Sequence, residues 1–428
     1  MELTRIPPYG ARRSDDRRSN VPVGRGTDRR ARLRAACGAS LLALALFSPA
    51  RAAVLTPGFD LGSRMDQSRA PLGARRDTLL ALFSPSLGIR SGSDHTRLSL
   101  LGGSVFGYHP TPSIAGSASG DLSYDRISDR ADGAFTSAWS ERDSLMLAGR
   151  YLRSHDPLEL GDWSSLVTSD VKQWGGQARA AAWHAEGGYQ IDDWSYSAGL
   201  QPARMISWDA FALPFRGATD ALLLGWREHS LNVGDVSRVR ADMALAGYRR
   251  TLRPWAVLQL EAGGGRIRYS DGVVQDRPVF GVVLDNPEAQ VGGLRPELHV
   301  WQDFATNVVV QVVRALGAGQ VSLGWQSVGD FEGGIFRDPT YVRRAVAALR
   351  DTLGGATVAE LEVSYGRTSP LHFAGQRVDI GRVTGALERR VRPWLSLRGA
   401  SAYLDQSGAG VSALRRIRVE LSLGAHAP

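Results

Sequence analysis

Apolar and polar residues alternate along the chain from about residue 75 to residue 423. Near its end, Ile417, Val419 and Leu421 alternate with charged residues. Because successive side chains of a strand point to opposite faces, this pattern predicts strands with one apolar and one polar face. Other clear segments are 194–201, 256–263, 320–326 and 360–366, with weaker alternation at 77–90, 96–107, 119–127, 131–139, 144–153, 177–188, 220–227, 239–250, 294–302, 306–314, 377–389 and 394–403.

The alternation continues without an obvious domain break, which favours one large sheet over several small domains. The polar positions are mostly Gly, Ser, Gln, Glu and Arg, which suit a wet lumen, and the apolar positions suit lipid. Tryptophans recur at strand ends, as in the interfacial belts of membrane proteins. The sequence therefore predicts an all-β protein, a single transmembrane antiparallel up-and-down β-barrel of about 12–16 strands. A secreted all-β protein is the alternative.

Connections of two lengths separate these strands. Arg253-Pro254-Trp255 and Arg392-Pro393-Trp394 predict tight turns in which proline begins the next strand. Further tight turns are predicted at 139–143 and 191–194. Strict up-and-down parity fails for these four turns, so either a strand is missing or one tight turn is external. Long connections are predicted at 154–176, 202–219, 270–293 and 328–357.

One segment, 338–355, has helical spacing. Its first two residues are a favourable N-cap and a proline suited to the first helical position. The favoured interpretation is one short helix in a loop, and the alternative is a helix inside the lumen that narrows a channel. The apolar residues and the terminating glycines are Val342, Val346, Leu349, Leu353, Gly354 and Gly355.

The N-terminal part resembles a signal peptide. The apolar run 39–48 is too short to cross a bilayer as a helix, basic residues precede it, and Ala50-Arg51-Ala52 fits a signal-peptidase site. We therefore expect a basic extension and signal peptide over 1–52, a periplasmic N-terminal segment over 53–74, and the barrel over 75–423.

The net charge of +8 lies mostly in this leader, which holds eleven arginines and four acidic residues. The remainder is nearly neutral, which argues against nucleic acid as a partner. The single cysteine, Cys37, precedes the apolar run, so neither a disulfide nor a lipoprotein anchor is expected.

We find no pattern for catalysis, and no enzyme, cofactor or metal site is predicted. Neither the His-Glu-x-x-His spacing nor the Gly-x-Ser-x-Gly elbow occurs. His155-Asp156, at a strand end, is the nearest candidate for an enzyme at the barrel rim, and its plainer interpretation is an exposed loop pair.

Charged residues on the polar faces are the candidate lumen-lining residues. A charged ladder inside a barrel can select which ions or sugars pass, or the charges can pair and fill the interior. These residues are Arg150, Arg250, Glu261, Arg266, Arg268, Glu360, Glu362, Arg398, Arg416, Arg418 and Glu420.

The leader, the strands, the Arg-Pro-Trp turns and the segment 83–90 (Phe-Ser-Pro-Ser-Leu-Gly-Ile-Arg) together resemble bacterial outer-membrane β-barrels of the porin type. Some of those barrels accompany exopolysaccharide systems. The resemblance implies the outer membrane of a Gram-negative bacterium, with its lipid and the barrel-assembly machinery as partners. One departure is the end of the chain at 421–428, which lacks the aromatic residue that many such barrels present to that machinery.

Three functions remain open. The first is a porin-like channel or an export component for hydrophilic solutes or polysaccharide. The second is a structural or adhesive barrel with a closed lumen, which mutual pairing of the lumen charges would favour. The third is an enzyme at the rim that would use His155.

Overall fold

The structure is a computed structural model that describes most of the chain beyond the leader. The described residues are 53–69, 75–93, 95–108, 124–140, 143–154, 171–196, 202–234, 237–253, 256–285, 294–330, 340–370, 377–408 and 411–426.

These residues form twenty strands. Their bounds are β1 (Val54–Arg69), β2 (Arg75–Gly92), β3 (Thr96–Tyr108), β4 (Tyr124–Ala138), β5 (Ser144–Ser154), β6 (Val171–Ala182), β7 (Ala185–Tyr196), β8 (Ala203–Arg216), β9 (Asp220–Val233), β10 (Ser237–Arg253), β11 (Ala256–Tyr269), β12 (Val274–Asp285), β13 (Leu294–Gln302), β14 (Thr306–Leu316), β15 (Gly319–Asp330), β16 (Thr340–Leu353), β17 (Thr357–Pro370), β18 (Val378–Arg392), β19 (Leu395–Gly408) and β20 (Val411–His426).

The sheet closes on itself. Every strand pairs antiparallel with its neighbours in sequence, and β1 pairs with β20 from Gly58↔His426 to Arg69↔Arg415. Closure satisfies the backbone groups that an open sheet edge would expose. The predicted fold class, an all-β antiparallel up-and-down barrel, is confirmed, but the expected strand number is too low. No helix in the part of the chain that the structure describes is long and apolar enough to cross a membrane.

The connections lie alternately at the two ends of the barrel, and the longest ones share one end. One end, called the short-turn end, carries the connections at 93–95, 139–143, 183–184, 217–219, 254–255, 286–293, 317–318, 354–356 and 393–394. The first strand begins there and the last strand ends there. The opposite end, called the long-loop end, carries the longest connections, at 109–123 and 155–170.

This arrangement resolves the parity conflict in the sequence. The turns predicted at 139–143, 253–255 and 392–394 fall between strands at the short-turn end. The turn predicted at 191–194 is wrong, because those residues lie inside β7 and pair with β6 and β8.

Four strands were not predicted. Residues 53–74, expected to be a periplasmic segment, contain β1, which forms one side of the closing seam. The long connections predicted at 202–219 and 270–293 contain β8 and β12. The connection 328–357, with its predicted helix, contains β16.

The helix prediction fails because β16 carries apolar residues on both faces. Val342 and Val346 point inward, whereas Ala347 and Leu349 share the outer face with Leu361 and its neighbours. With both faces apolar the period of two is lost, and the remaining spacing imitates a helix. The two glycines after it, with φ of +62° and +76°, form the turn to β17 and do not cap a helix.

A pair of substitutions in β16 tests this correction. Ala347 lies between outward-facing Leu323 and Val363, so Ala347→Glu should lower the free energy of unfolding in lipid vesicles by about 1–2 kcal/mol. The matched variant Ala348→Glu, whose side chain faces inward, should have little effect. Equal effects of the two substitutions would contradict the strand assignment.

An apolar belt surrounds the outer face of the barrel. Large apolar side chains on this face remain exposed, a property expected of surface that contacts lipid and not water. Representative members are Phe59, Leu61, Phe83, Leu260, Phe280, Leu323, Trp325, Leu361, Val363, Leu421 and Leu423.

Candidate functional site in the lumen

A cluster of charged side chains bridges the seam between β1 and β20 on the inner face. Arg64 donates to Glu420 at 3.0 Å. Asp66 accepts from Arg416 Nε at 2.6 Å and from Arg418 at 3.2 Å. Asp66 and Arg418 are buried. The structure therefore brings together three predicted lumen residues of β20, and it adds two partners from β1, which was not predicted as a strand.

A second group of charges lies on the inner face of β16–β19. Arg350 Nε is 3.3 Å from Glu360, and Arg344 is 3.5 Å from Glu362. Arg398 lies directly opposite Glu388 in the register of β18 and β19. Each of these three arginines thus lies beside or opposite an acidic residue.

A third group lies on β5–β11. Arg150 is 2.9 Å from Asp192, and Arg227 is 3.0 Å from Glu261. Both acidic side chains are buried, while Arg150 is more than half exposed. The two predicted residues in this group, Arg150 and Glu261, therefore face the interior.

Three of the predicted residues lie on the outer face. Arg266 and Arg268 alternate in phase with lipid-facing Leu260 and lie on β11 at the long-loop end. Arg250 lies in phase with Tyr248 at the short-turn end, 3.6 Å from Asp220. Strands that extend beyond the lipid have charges on both faces, and the sequence alone does not reveal which face is inside.

An apolar cluster inside the barrel was not predicted. The alternating pattern predicts that apolar positions face lipid, yet on β8–β11 many of them point inward and are almost fully buried. A wide aqueous lumen would leave these side chains in contact with water, so this part of the interior is filled. Its most buried members are Leu213, Leu223, Leu231, Val233, Val239, Ala241, Met243 and Ile267.

The turn between β13 and β14 packs against this cluster. Asp303 Oδ2 lies 2.8 Å from His229 Nδ1 on β9, and Asp303 Oδ1 accepts from the Ala305 backbone at 2.8 Å. The Phe304 ring lies 5.0 Å from the imidazole. His229, Asp303 and Phe304 are called the inner latch from here on.

The inner latch extends over part of the lumen. From β9 to β13 there are four strand steps, or about 19 Å along the wall at the usual strand spacing. A contact of 2.8 Å between His229 and Asp303 therefore requires the turn to lean inward at the long-loop end. The latch narrows the interior at that end.

The Asp303 carboxyl group lies in the turn, outside the strands. Burial raises the pKa of Asp303. The hydrogen bond and charge of His229 lower it, as do the Ala305 N–H and the Asn307 side chain, and together they outweigh burial, so that the pKa falls below its usual value. The lowered pKa favours the ionised carboxylate, so Asp303 keeps its negative charge under ordinary conditions.

Comparison with known proteins gives fold-level likenesses only. No protein-family model matches the sequence, and no curated protein is significantly similar to it. Among solved structures, Pseudomonas aeruginosa OccK9 is 13% identical with a TM-score of 0.40, over 88% of this chain and 98% of that one. The ferric enterobactin receptor PfeA of the same organism is 10% identical with a TM-score of 0.39, over 87% and 80%. Likenesses this weak assign neither a family nor a substrate to this chain.

The architecture itself is that of an outer-membrane type of β-barrel, with an even number of antiparallel strands, an apolar outer belt and charged inner walls. The resemblance drawn from the sequence is confirmed at this level. His155, the residue considered for a rim enzyme, lies outside the described residues. Within the described ranges, no group of three His, Cys, Asp or Glu side chains could hold a metal ion.

Proposed function

We propose that the chain is a non-enzymatic, porin-like channel for hydrophilic solutes in the outer membrane of a Gram-negative bacterium. One observation carries this proposal. Arg350 and Glu360 point into the barrel, yet they keep 63% and 48% of their side-chain surface exposed. Water therefore reaches the inner wall of β16 and β17, and a hydrated path lined by charge can conduct ions and small polar solutes.

The orientation follows from the connections. In bacterial outer-membrane barrels short turns face the periplasm and long loops face outward. The short-turn end of this barrel would then face the periplasm and the inner latch would lie toward the outside. Insertion would depend on the barrel-assembly machinery.

Conductance across a planar lipid bilayer tests the channel. Purified, refolded barrel should produce discrete conductance steps, and a barrel that inserts but never conducts would overturn the proposal. Export of a hydrophilic polysaccharide is the narrower hypothesis. Concentration-dependent block of the conductance by soluble oligosaccharides would support it, and indifference to them would contradict it.

Charge selectivity should depend on Glu360. The variant Glu360→Gln leaves Arg350 without the acidic neighbour 3.3 Å away, so the lumen becomes more positive. Because exposed charge pairs are worth up to about 1 kcal/mol, the anion-to-cation permeability ratio should rise about twofold to fivefold, as measured by reversal potentials in a salt gradient. Arg350→Gln should shift the ratio the other way. Asp405→Asn, on the outer face beside Arg415, is the matched control and should change nothing.

A structural or adhesive barrel with a closed lumen is the second candidate. The buried apolar cluster and the inner latch favour it, because the cluster covers the inner wall from Leu213 near the short-turn end to Val239 near the long-loop end, and the latch lies at the long-loop end. The bilayer measurement separates the two, since a closed barrel inserts without conducting.

A further inference from the structure

The outer face of β9–β12 changes from apolar to charged along one line near the long-loop end. Each of these four strands carries a small or aromatic residue on the lipid side of the line. A charged residue lies two positions away on the same face, nearer the long-loop end. The pairs in strand order are Trp226 and Glu228, Ala244 and Asp242, Gly264 and Arg266, and Pro278 and Asp276. Such a line marks the level at which the hydrocarbon meets the headgroups.

An open cavity of about 700 Å³ lies on this line. Trp226 and Ala244 line it on the lipid side. The loop side is lined by three arginines and two acidic residues, Arg240, Arg266, Arg268, Asp242 and Asp276. Gly264 leaves the floor open, because a Cβ at this position would meet no atom within 4 Å. The cavity can therefore receive a polar group on its loop side, while its apolar side remains continuous with the lipid.

Two of the three arginines, Arg240 and Arg268, are held by largely buried acidic side chains. Asp242, only 5% exposed, accepts from Arg240 at 3.0 Å and from Arg268 at 2.6 Å. Glu228 lies 3.0 Å from Arg240 and is also largely covered. The guanidinium groups thus form the outer layer, with Arg266 and Arg268 54% and 48% exposed.

This arrangement leaves Arg266 and Arg268 about half exposed, with N–H donors that their acidic partners do not engage. A guanidinium has five N–H donors, and one carboxylate engages only some of them. Planar guanidinium groups fixed in position suit the oxygens of a phosphate better than flexible ammonium groups do. Asp276, the partner of Arg266 at 2.7 Å, is itself well exposed and can give way to a stronger anion.

We propose that this cavity binds the phosphorylated headgroup of a lipid in the leaflet at the long-loop end. The arginines would receive the phosphate, Trp226 would lie at the headgroup level, and the acyl chains would run along the apolar surface below. The cavity lies on the outer wall, so this role is separate from conduction. We expect a barrel that never conducts to bind the lipid all the same. A barrel that conducts but does not bind the lipid would overturn this proposal alone.

Lipid binding can be measured directly on the folded barrel. Lipid A with two phosphates would be titrated into the full-length protein in neutral detergent, and bound lipid counted by native mass spectrometry. The double variant Arg266→Gln/Arg268→Gln should bind at least about tenfold more weakly, because two charge-assisted contacts are lost. The double variant Arg367→Gln/Arg415→Gln removes two arginines from the same face and end elsewhere on the barrel and should bind as the original does.

Three results would overturn the proposal. The first is equal binding by the original chain and the Arg266/Arg268 variant. The second is equal binding of lipid A and its dephosphorylated form, which would show that acyl contacts alone hold the lipid. The third is displacement of the lipid by millimolar inorganic phosphate, which would identify a site for the free anion. If the glutamine variant does not fold, Arg266→Lys/Arg268→Lys retains the charge, and its binding should still fall because the planar geometry is lost.

Discussion

Replacing Asp66 by asparagine should lower the free energy of unfolding of the barrel by about 3–5 kcal/mol, the usual cost of removing one partner from a buried ion pair. Asp66 lies on β1 and accepts from both Arg416 and Arg418 on β20. An amide presents one acceptor oxygen and no charge, so at least one buried guanidinium would lose its compensation. Because these contacts bridge the closing seam, the substitution weakens the contact between the first and the last strand of the barrel.

Urea titration of the barrel in lipid vesicles measures this effect. Asp405→Asn is the matched control, because Asp405 lies 3.4 Å from Arg415 in an exposed pair and should contribute less than about 1 kcal/mol. A loss below about 1 kcal/mol for Asp66→Asn would show that the seam depends on backbone pairing alone. The adjacent pair of Arg64 and Glu420 gives a second test at the same seam.

The barrel could be predicted from sequence where one face of a strand is polar. On β17 from 360 to 366 and on β20 from 416 to 424, every second residue is charged or small, and these strands were placed correctly. β16 was missed because Val342 and Val346 are apolar on the inner face, while Ala347 and Leu349 are apolar on the outer face. Alternation identifies a strand only where its two environments differ.

The lumen residues could be predicted only in part for the same reason. Each polar position was predicted to face the lumen. This rule holds for the part of a strand that lies within the lipid, but it fails for the part that extends beyond the lipid. Arg266 and Arg268 lie on the outer face above the apolar belt, where water or headgroups accept a charge. Met243 and Val239, in contrast, are apolar and face inward against the inner latch. The pairing of Asp303 with His229 joins residues far apart in sequence, so no local sequence pattern predicts it.

Removing the inner latch should have the largest effect on conduction. Phe304→Ala deletes a ring packed on His229 and on the apolar inner wall, and Asp303→Asn removes the charge that holds the turn there. With both changes the turn should no longer lean into the lumen, so the single-channel conductance should rise at least about twofold, because the narrowest part of a pore limits its flux. The phenylalanine change should also cost about 3–5 kcal/mol of stability, as is usual for buried aromatic residues.

A matched variant separates this effect from general destabilisation. Phe280→Ala removes the same ring from the outer face of β12, where it lies exposed to lipid, and should leave conductance unchanged. If the latch variant inserts and conducts as the original barrel does, the turn lies outside the conduction path. If the original barrel is silent and the latch variant conducts, the closed-lumen function is favoured instead. In that case the same contacts that narrow the lumen would be the ones that keep it shut, with Asp303 ionised under ordinary conditions and 2.8 Å from His229.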